Sequence, residues 1–151
     1  MEPLLDLSLR LVAAAGIGGA IGLNRDLHGK PTGVRTMGLV GLGSALIVVG
    51  GVLAGDAGDA TRMAQGIMTG VGFLGAGVIV KGGSGSRVHG LTTAATIWLT
   101  AALGVTCGLG HWRLALVALG LSFMVLIVGG PLEKAARTRW PHSPRAPDPP
   151  G

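Results

Sequence analysis

Five apolar runs, 4–23, 36–54, 64–80, 91–109 and 114–130, set the terms on which this chain folds. Each approaches the roughly 20 residues an α-helix needs to cross a hydrocarbon core of about 30 Å. No water reaches backbone N–H and C=O groups in that core, so these runs must take a form that bonds them internally, the helix. A mean hydropathy of +0.60 with only 13% charged residues excludes the ordinary soluble globule. The sequence therefore predicts an all-α, integral membrane helical bundle with five transmembrane helices, one domain over 4–130. Residues 131–151 form a basic, Pro-rich tail; its first part can extend the last helix past Pro131, and its end has the composition of disordered chain.

The first run competes with a signal peptide, but Glu2 and Asp6 stand where such a peptide needs positive charge, so a retained helix is expected. Arg10 lies inside it. Asp6, one turn away, offers a local partner at the interface; the competing reading takes Arg10 to a buried carboxylate or a water-filled pocket.

The third run, AQGIMTGVGFLGAGVIV, carries Gly66, Gly70, Gly72, Gly75 and Gly77 where a lipid-facing helix carries Leu or Ile. Small residues let helix backbones approach closely in lipid, so this helix is predicted at the centre of the bundle, touched on several sides. Its glycines read as packing surface, or as the lining of a substrate path. Gly41 and Ala45 give the second run another small-xxx-small step. In the fourth run Thr92, Thr96, Thr100, Gly104 and Gly108 recur every four residues on one stripe, expected to meet the third run. Threonines so placed bond a carbonyl one turn back or a neighbouring helix, with ion coordination as the alternative. The last run, rich in Leu, Val and Ile, reads as peripheral. Trp112 and Trp140 fall at run ends, and Trp98 inside a run is expected to pack on another helix.

The connections are short. NRDLHGKPTGVR (24–35) is a polar link broken by Gly29, Pro31 and Gly33, and KGGSGSRVHG (81–90) is by composition a flexible basic loop. Lys and Arg divide unevenly between the two sides that five crossings define. One side holds Arg25, Lys30, Arg35, Lys81, Arg87, Lys134, Arg137, Arg139 and Arg145, the other Arg62 and Arg113. The positive-inside rule makes the first side cytoplasmic, with the N-terminus outside. This also accounts for the net charge of +5 without nucleic acid, for which no groove-binding motif is present.

Catalytic chemistry finds no footing. His28, His89, His111 and His142 lie in loops or the tail with no nucleophile beside them, and zinc, dinucleotide and phosphate-loop patterns are absent. The single Cys107 rules out an internal disulfide and a multi-cysteine metal site. No enzyme is expected. No cofactor is indicated with certainty; Mg2+ is the one candidate, since a hard cation is held by one or two carboxylates with waters and Asp6, Asp56 and Asp59 stand together on the outer side. Against it, such aspartates serve as solvated or capping residues, and Asp59 is placed to cap the third helix.

The run Asp59 to Val80, DATRMAQGIMTGVGFLGAGVIV, followed by GLTTAA at Gly90 to Ala95, resembles the MgtC/SapB family of membrane proteins. Ile21-Gly22-Leu23 and Gly33-Val34-Arg35-Thr36 are similar too, and the resemblance extends over about 4–130. It implies a bundle of the bacterial inner membrane connected with magnesium limitation and, in some pathogens, survival inside host cells. By resemblance the functional positions are Arg25, Arg35, Thr36, Asp59, Arg62, Gln65, Gly66, Gly70, Gly72, Phe73, Gly75, Gly77, Gly90, Thr92 and Thr93, to which the stripe adds Thr96 and the first run Arg10. Two departures stand out. Asn24-Arg25-Asp26 replaces the common Glu-Arg-Glu, and Met37 follows Arg-Thr where His or Asn is common. Larger members also carry a soluble C-terminal domain, and this chain reads as a short form without it.

The expected function is a regulator or accessory factor in magnesium homeostasis. Its partners would be the lipid bilayer, other inner-membrane proteins or further copies of itself. The alternative is a channel or transporter for Mg2+ or another cation, and a third reading is a small assembly factor. Regulator and transporter are divided by whether a polar path crosses the membrane.

Overall fold

The computed structural model describes residues 2–55, 57–81 and 88–139. Five helices follow in order: α1 (Glu2–Leu27), α2 (Val34–Leu53), α3 (Ala57–Val78), α4 (Leu91–Gly108) and α5 (Trp112–Arg139). Between α3 and α4 a two-residue strand β1 (Val80–Lys81) pairs antiparallel with β2 (Val88–His89), Val80 opposite His89. The ends of the expected flexible loop are thus tied to each other; residues 82–87 lie outside the described part, as do residues 140–151 with Trp140. The chain divides into two units, 1–119 and 120–151. The boundary falls inside α5, whose apolar segment leaves all but 11% of its residues unburied. The helix continues through Pro131 to Arg139.

Four helices, α1, α2, α4 and α5, contain segments long and apolar enough to cross a membrane. The less apolar α3 is made to traverse the bundle by its neighbours. The end of α2 lies against the end of α4, since a Cβ on Gly108 would sit 2.9 Å from Val48 Cβ. The start of α4 lies against the end of α1, where Thr93 bonds Arg25. Only a helix running back from one end of the bundle to the other connects Leu53 to Leu91.

The centre of this unit is α4 with α2, and not the glycine-rich α3. Of the apolar α4 segment 56% is buried, and both α2 and α4 pack on each other and on α1 and α3. The glycines that bring backbones together are on the other helices. A Cβ on Gly18 would run into the Met37 carbonyl, one on Gly22 would lie 2.6 Å from Val34 Cα, and one on Gly41 2.6 Å from the Ala14 carbonyl, so α1 and α2 touch main chain to main chain. Gly104 meets the Gly41 carbonyl and Gly108 comes within 2.8 Å of the Ala45 carbonyl in the same sense, closing α2 on α4. Close approach of this kind supplies the van der Waals contact that holds helices together in lipid. On α3 a Cβ at Gly66, Gly70, Gly72 or Gly77 would meet nothing within 4 Å. Among the described glycines of α3, only Gly75 would bring a Cβ into contact, 3.5 Å from Ala94 Cβ of α4. Small residues permit close packing but do not require it, which is why the densest glycine run is not the innermost.

The threonine stripe of α4 faces α1 and α2 rather than α3. Thr96 and Thr100 are buried and donate to the carbonyls of Thr92 at 2.6 Å and Thr96 at 2.8 Å, while Thr92 itself is exposed. Thr100 also lies 3.5 Å from the Met37 sulfur. Back-bonding to the preceding turn satisfies the hydroxyl proton in an apolar setting. Trp98 keeps half its surface exposed.

Candidate functional site

Arg25 is the one charged side chain buried among the described residues, 4% exposed. Because α1 runs on to Leu27, past the end of its apolar run, the residue stands on the helix and points into the bundle. Its Nε donates to the Pro31 carbonyl at 3.0 Å and the Thr32 hydroxyl at 3.2 Å. Nη2 donates to Thr93 Oγ1 at 2.6 Å and Nη1 reaches Thr96 Oγ1 at 3.4 Å. One guanidinium thereby ties α1, the α1–α2 turn and the start of α4. No described carboxylate pairs with it. A buried cation is tolerated only where hydrogen bonds replace its hydration, and here neutral oxygens do so. The planar five-donor fork suits four acceptors spread over the α1–α2 turn and α4, which an ammonium could not reach at once.

The turn is built to deliver those acceptors. Arg25 O accepts from the N–H groups of His28 at 3.1 Å and Lys30 at 3.0 Å, and Gly29 and Thr32 adopt left-handed φ of 60° and 64°. Gly33, the N-cap of α2, has no side chain to offer. Asp26 serves instead, its Oδ2 accepting from Val34 N at 3.0 Å, where a carboxylate favourably meets the helix dipole. Asp26, in the Asn24-Arg25-Asp26 segment, is thus a cap supplied by the preceding helix. Nearby, Gly90 has φ 92° and a Cβ there would strike the Val78 carbonyl, so the β2–α4 junction requires glycine.

At the opposite end Arg10 does pair with Asp6, at 2.6 Å. Its second partner is not a carboxylate but the Gly108 carbonyl at 3.2 Å, at the C-terminus of α4. A cation there complements the negative end of the helix dipole. Gly110, φ 88°, makes room for it: a Cβ at that position would be 3.0 Å from Arg10 Cζ. Arg10 Nε is buried without a partner among the described residues.

Of the remaining sequence-selected residues, Arg35, Thr36, Gly66 and Gly70 line one groove, and the others do not converge. Arg62, Gln65, Gly66, Gly70, Gly72, Phe73 and Gly77 lie exposed along α3, Phe73 at 82%. Arg35 and Thr36 are exposed in the first turn of α2. Of the candidate metal ligands, Asp6 is taken by Arg10, while Asp56 and the side chain of Asp59 lie outside the described residues. Among the described residues no three acidic, histidine or cysteine side chains gather. Between α2 and α3 runs an open, mainly apolar groove of about 720 Å³ from Arg35 and Thr36 to Ile47 and Met63. Gly43, Gly66 and Gly70 leave it hollow.

Long apolar helices closed on each other by glycine contacts and burying hydroxyls with one cation make this a helical membrane protein. The model of the MgtC family matches residues 11–135, and the chain belongs to that family. It is 46% identical over 148 residues to the protein SrpB of Synechococcus elongatus, covering 90% of this chain and 80% of that one. It is 44% identical over 117 residues to MgtC of Brucella abortus, covering 78% of this chain and 48% of that protein. To YhiD of Escherichia coli K12 it is 41% identical over 128 residues, 80% of this chain and 59% of that one. The chain thus spans about half the length of MgtC and YhiD. No solved structure matches it.

Proposed function

We propose that this chain is a non-enzymatic protein of the bacterial inner membrane, N-terminus outside and C-terminus cytoplasmic, that serves magnesium homeostasis as a regulator or accessory factor. The link to magnesium comes from the family and from YhiD, whose name carries magnesium transport as a candidate activity. The observation favouring regulation over transport is the character of the bundle interior. The single buried charge among the described residues is the cation Arg25, and the hydroxyls of Ser44, Thr96 and Thr100 are turned to carbonyls one turn back. A Mg2+ ion needs oxygen ligands and sheds its water reluctantly. Such an interior offers it repulsion and, among the described residues, no buried carboxylate.

Mg2+ flux into proteoliposomes holding only the purified protein tests this directly, with empty vesicles and the Asp59→Ala variant as controls. The expected result is flux no greater than in empty vesicles, together with impaired growth of a deletion strain at low magnesium. Saturable flux abolished by Asp59→Ala would make the chain a transporter with an outer carboxylate site.

A further inference from the structure

We propose that the groove between α2 and α3 binds one diacyl phospholipid with an anionic headgroup, the headgroup on Arg35 and one acyl chain lying along the helices. The groove is lined by apolar side chains, among them Leu39, Ile47, Val71 and Leu74, with Arg35 and Thr36 at one end. On α2 the lining spans residues 35 to 47, about 18 Å of helix, close to the half-thickness of about 15 Å that one leaflet's chains occupy in a 30 Å core. A cation at the end of a leaflet-deep apolar trough is charge-complementary to a phosphate above an acyl chain. Basic pockets between transmembrane helices recognise anionic headgroups in this way.

Two details favour an occupant of this kind. Cβ atoms at Gly66 and Gly70 would meet nothing within 4 Å, so these glycines hold the trough open instead of closing α3 on α2. Asp26 already accepts from Val34 N at the α2 N-terminus, which leaves the Arg35 guanidinium, unpaired among the described residues, as the headgroup's countercharge. Lys30 stands at the same end, in the α1–α2 turn. The assignment is independent of what the protein does with magnesium and of which way it faces.

The full chain, purified in mild detergent and titrated with phosphatidylglycerol or phosphatidylcholine under native mass spectrometry, tests the assignment. The wild type is expected to retain phosphatidylglycerol about fivefold better, the effect of one basic residue near the headgroup. Arg35→Gln should erase that preference with phosphatidylcholine retention unchanged. Gly70→Leu, which has room in the protein itself, should lose both lipids while its circular dichroism stays that of the wild type. Equal retention of both lipids by the wild type and both variants would overturn the proposal. So would a Gly70→Leu variant that keeps its lipid but loses a dimer, since the groove would then belong to a second copy.

Discussion

At the scale of single residues, the consequence of folding is clearest at Arg25. A guanidinium that is 4% exposed and bonded by four neutral oxygens is worth keeping only if those bonds are all made, because a buried donor left unmet bears its full desolvation cost. Lysine retains the charge but cannot bond the Pro31 carbonyl and both α4 threonines together. Arg25→Lys should therefore lose about two charge-assisted bonds, about 3 kcal/mol, seen as a lower thermal denaturation midpoint in detergent. A variant as stable as the wild type would mean that the node holds nothing together. The sequence marked Arg25 by resemblance and could not supply its partners. Thr32 and Pro31 reach it only because Gly29 and Thr32 turn left-handed, a backbone event that composition does not encode.

At the scale of elements, the lesson lies in the glycines. Spacing alone put the five-glycine run of α3 at the centre, yet the contacts are made by Gly18, Gly22 and Gly41 with their α1 and α2 neighbours and by Gly104 and Gly108 of α4. The helices themselves were legible, since hydrocarbon thickness and internal hydrogen bonding leave no other form for such runs. Which helix faces which was not, because one chain shows where close approach is allowed without showing what approaches. The hydroxyl stripe illustrates this: Thr96, Thr100, Gly104 and Gly108 do share a face, and that face meets α1 and α2. Two alanine substitutions should then differ in sign. Gly22→Ala places a Cβ 2.6 Å from Val34 Cα, main chain that cannot step aside, and should destabilise by about 1–3 kcal/mol through overpacking. Gly72→Ala enters open space and removes a glycine from a helix interior, for a gain of at most about 1 kcal/mol. Thermal denaturation of the two variants side by side would decide it, and a loss of stability at Gly72 would restore α3 to the packed centre.

At the scale of the whole molecule, the connections alternate between two ends. The α1–α2 turn and the β1–β2 pair share the end where Arg25 meets Thr93, whereas Ala54 and Gly110 share the end where Arg10 meets Gly108. Alternation fixes which connections lie together, and under the proposed orientation, which rests on the nine-to-two distribution of Lys and Arg, the first end faces the cytoplasm. The sole native cysteine makes this testable without prior removal of thiols, because Cys107 is fully buried. In intact cells the wild type should resist a membrane-impermeant maleimide. Lys30→Cys and Ala54→Cys each place a thiol on an exposed residue at opposite ends. Ala54→Cys should label in intact cells and Lys30→Cys only after the membrane is opened. The reverse pattern would invert the orientation while leaving the bundle as described. Labelling of both in intact cells would instead place the two ends on one side, and α2 between them would not cross the membrane.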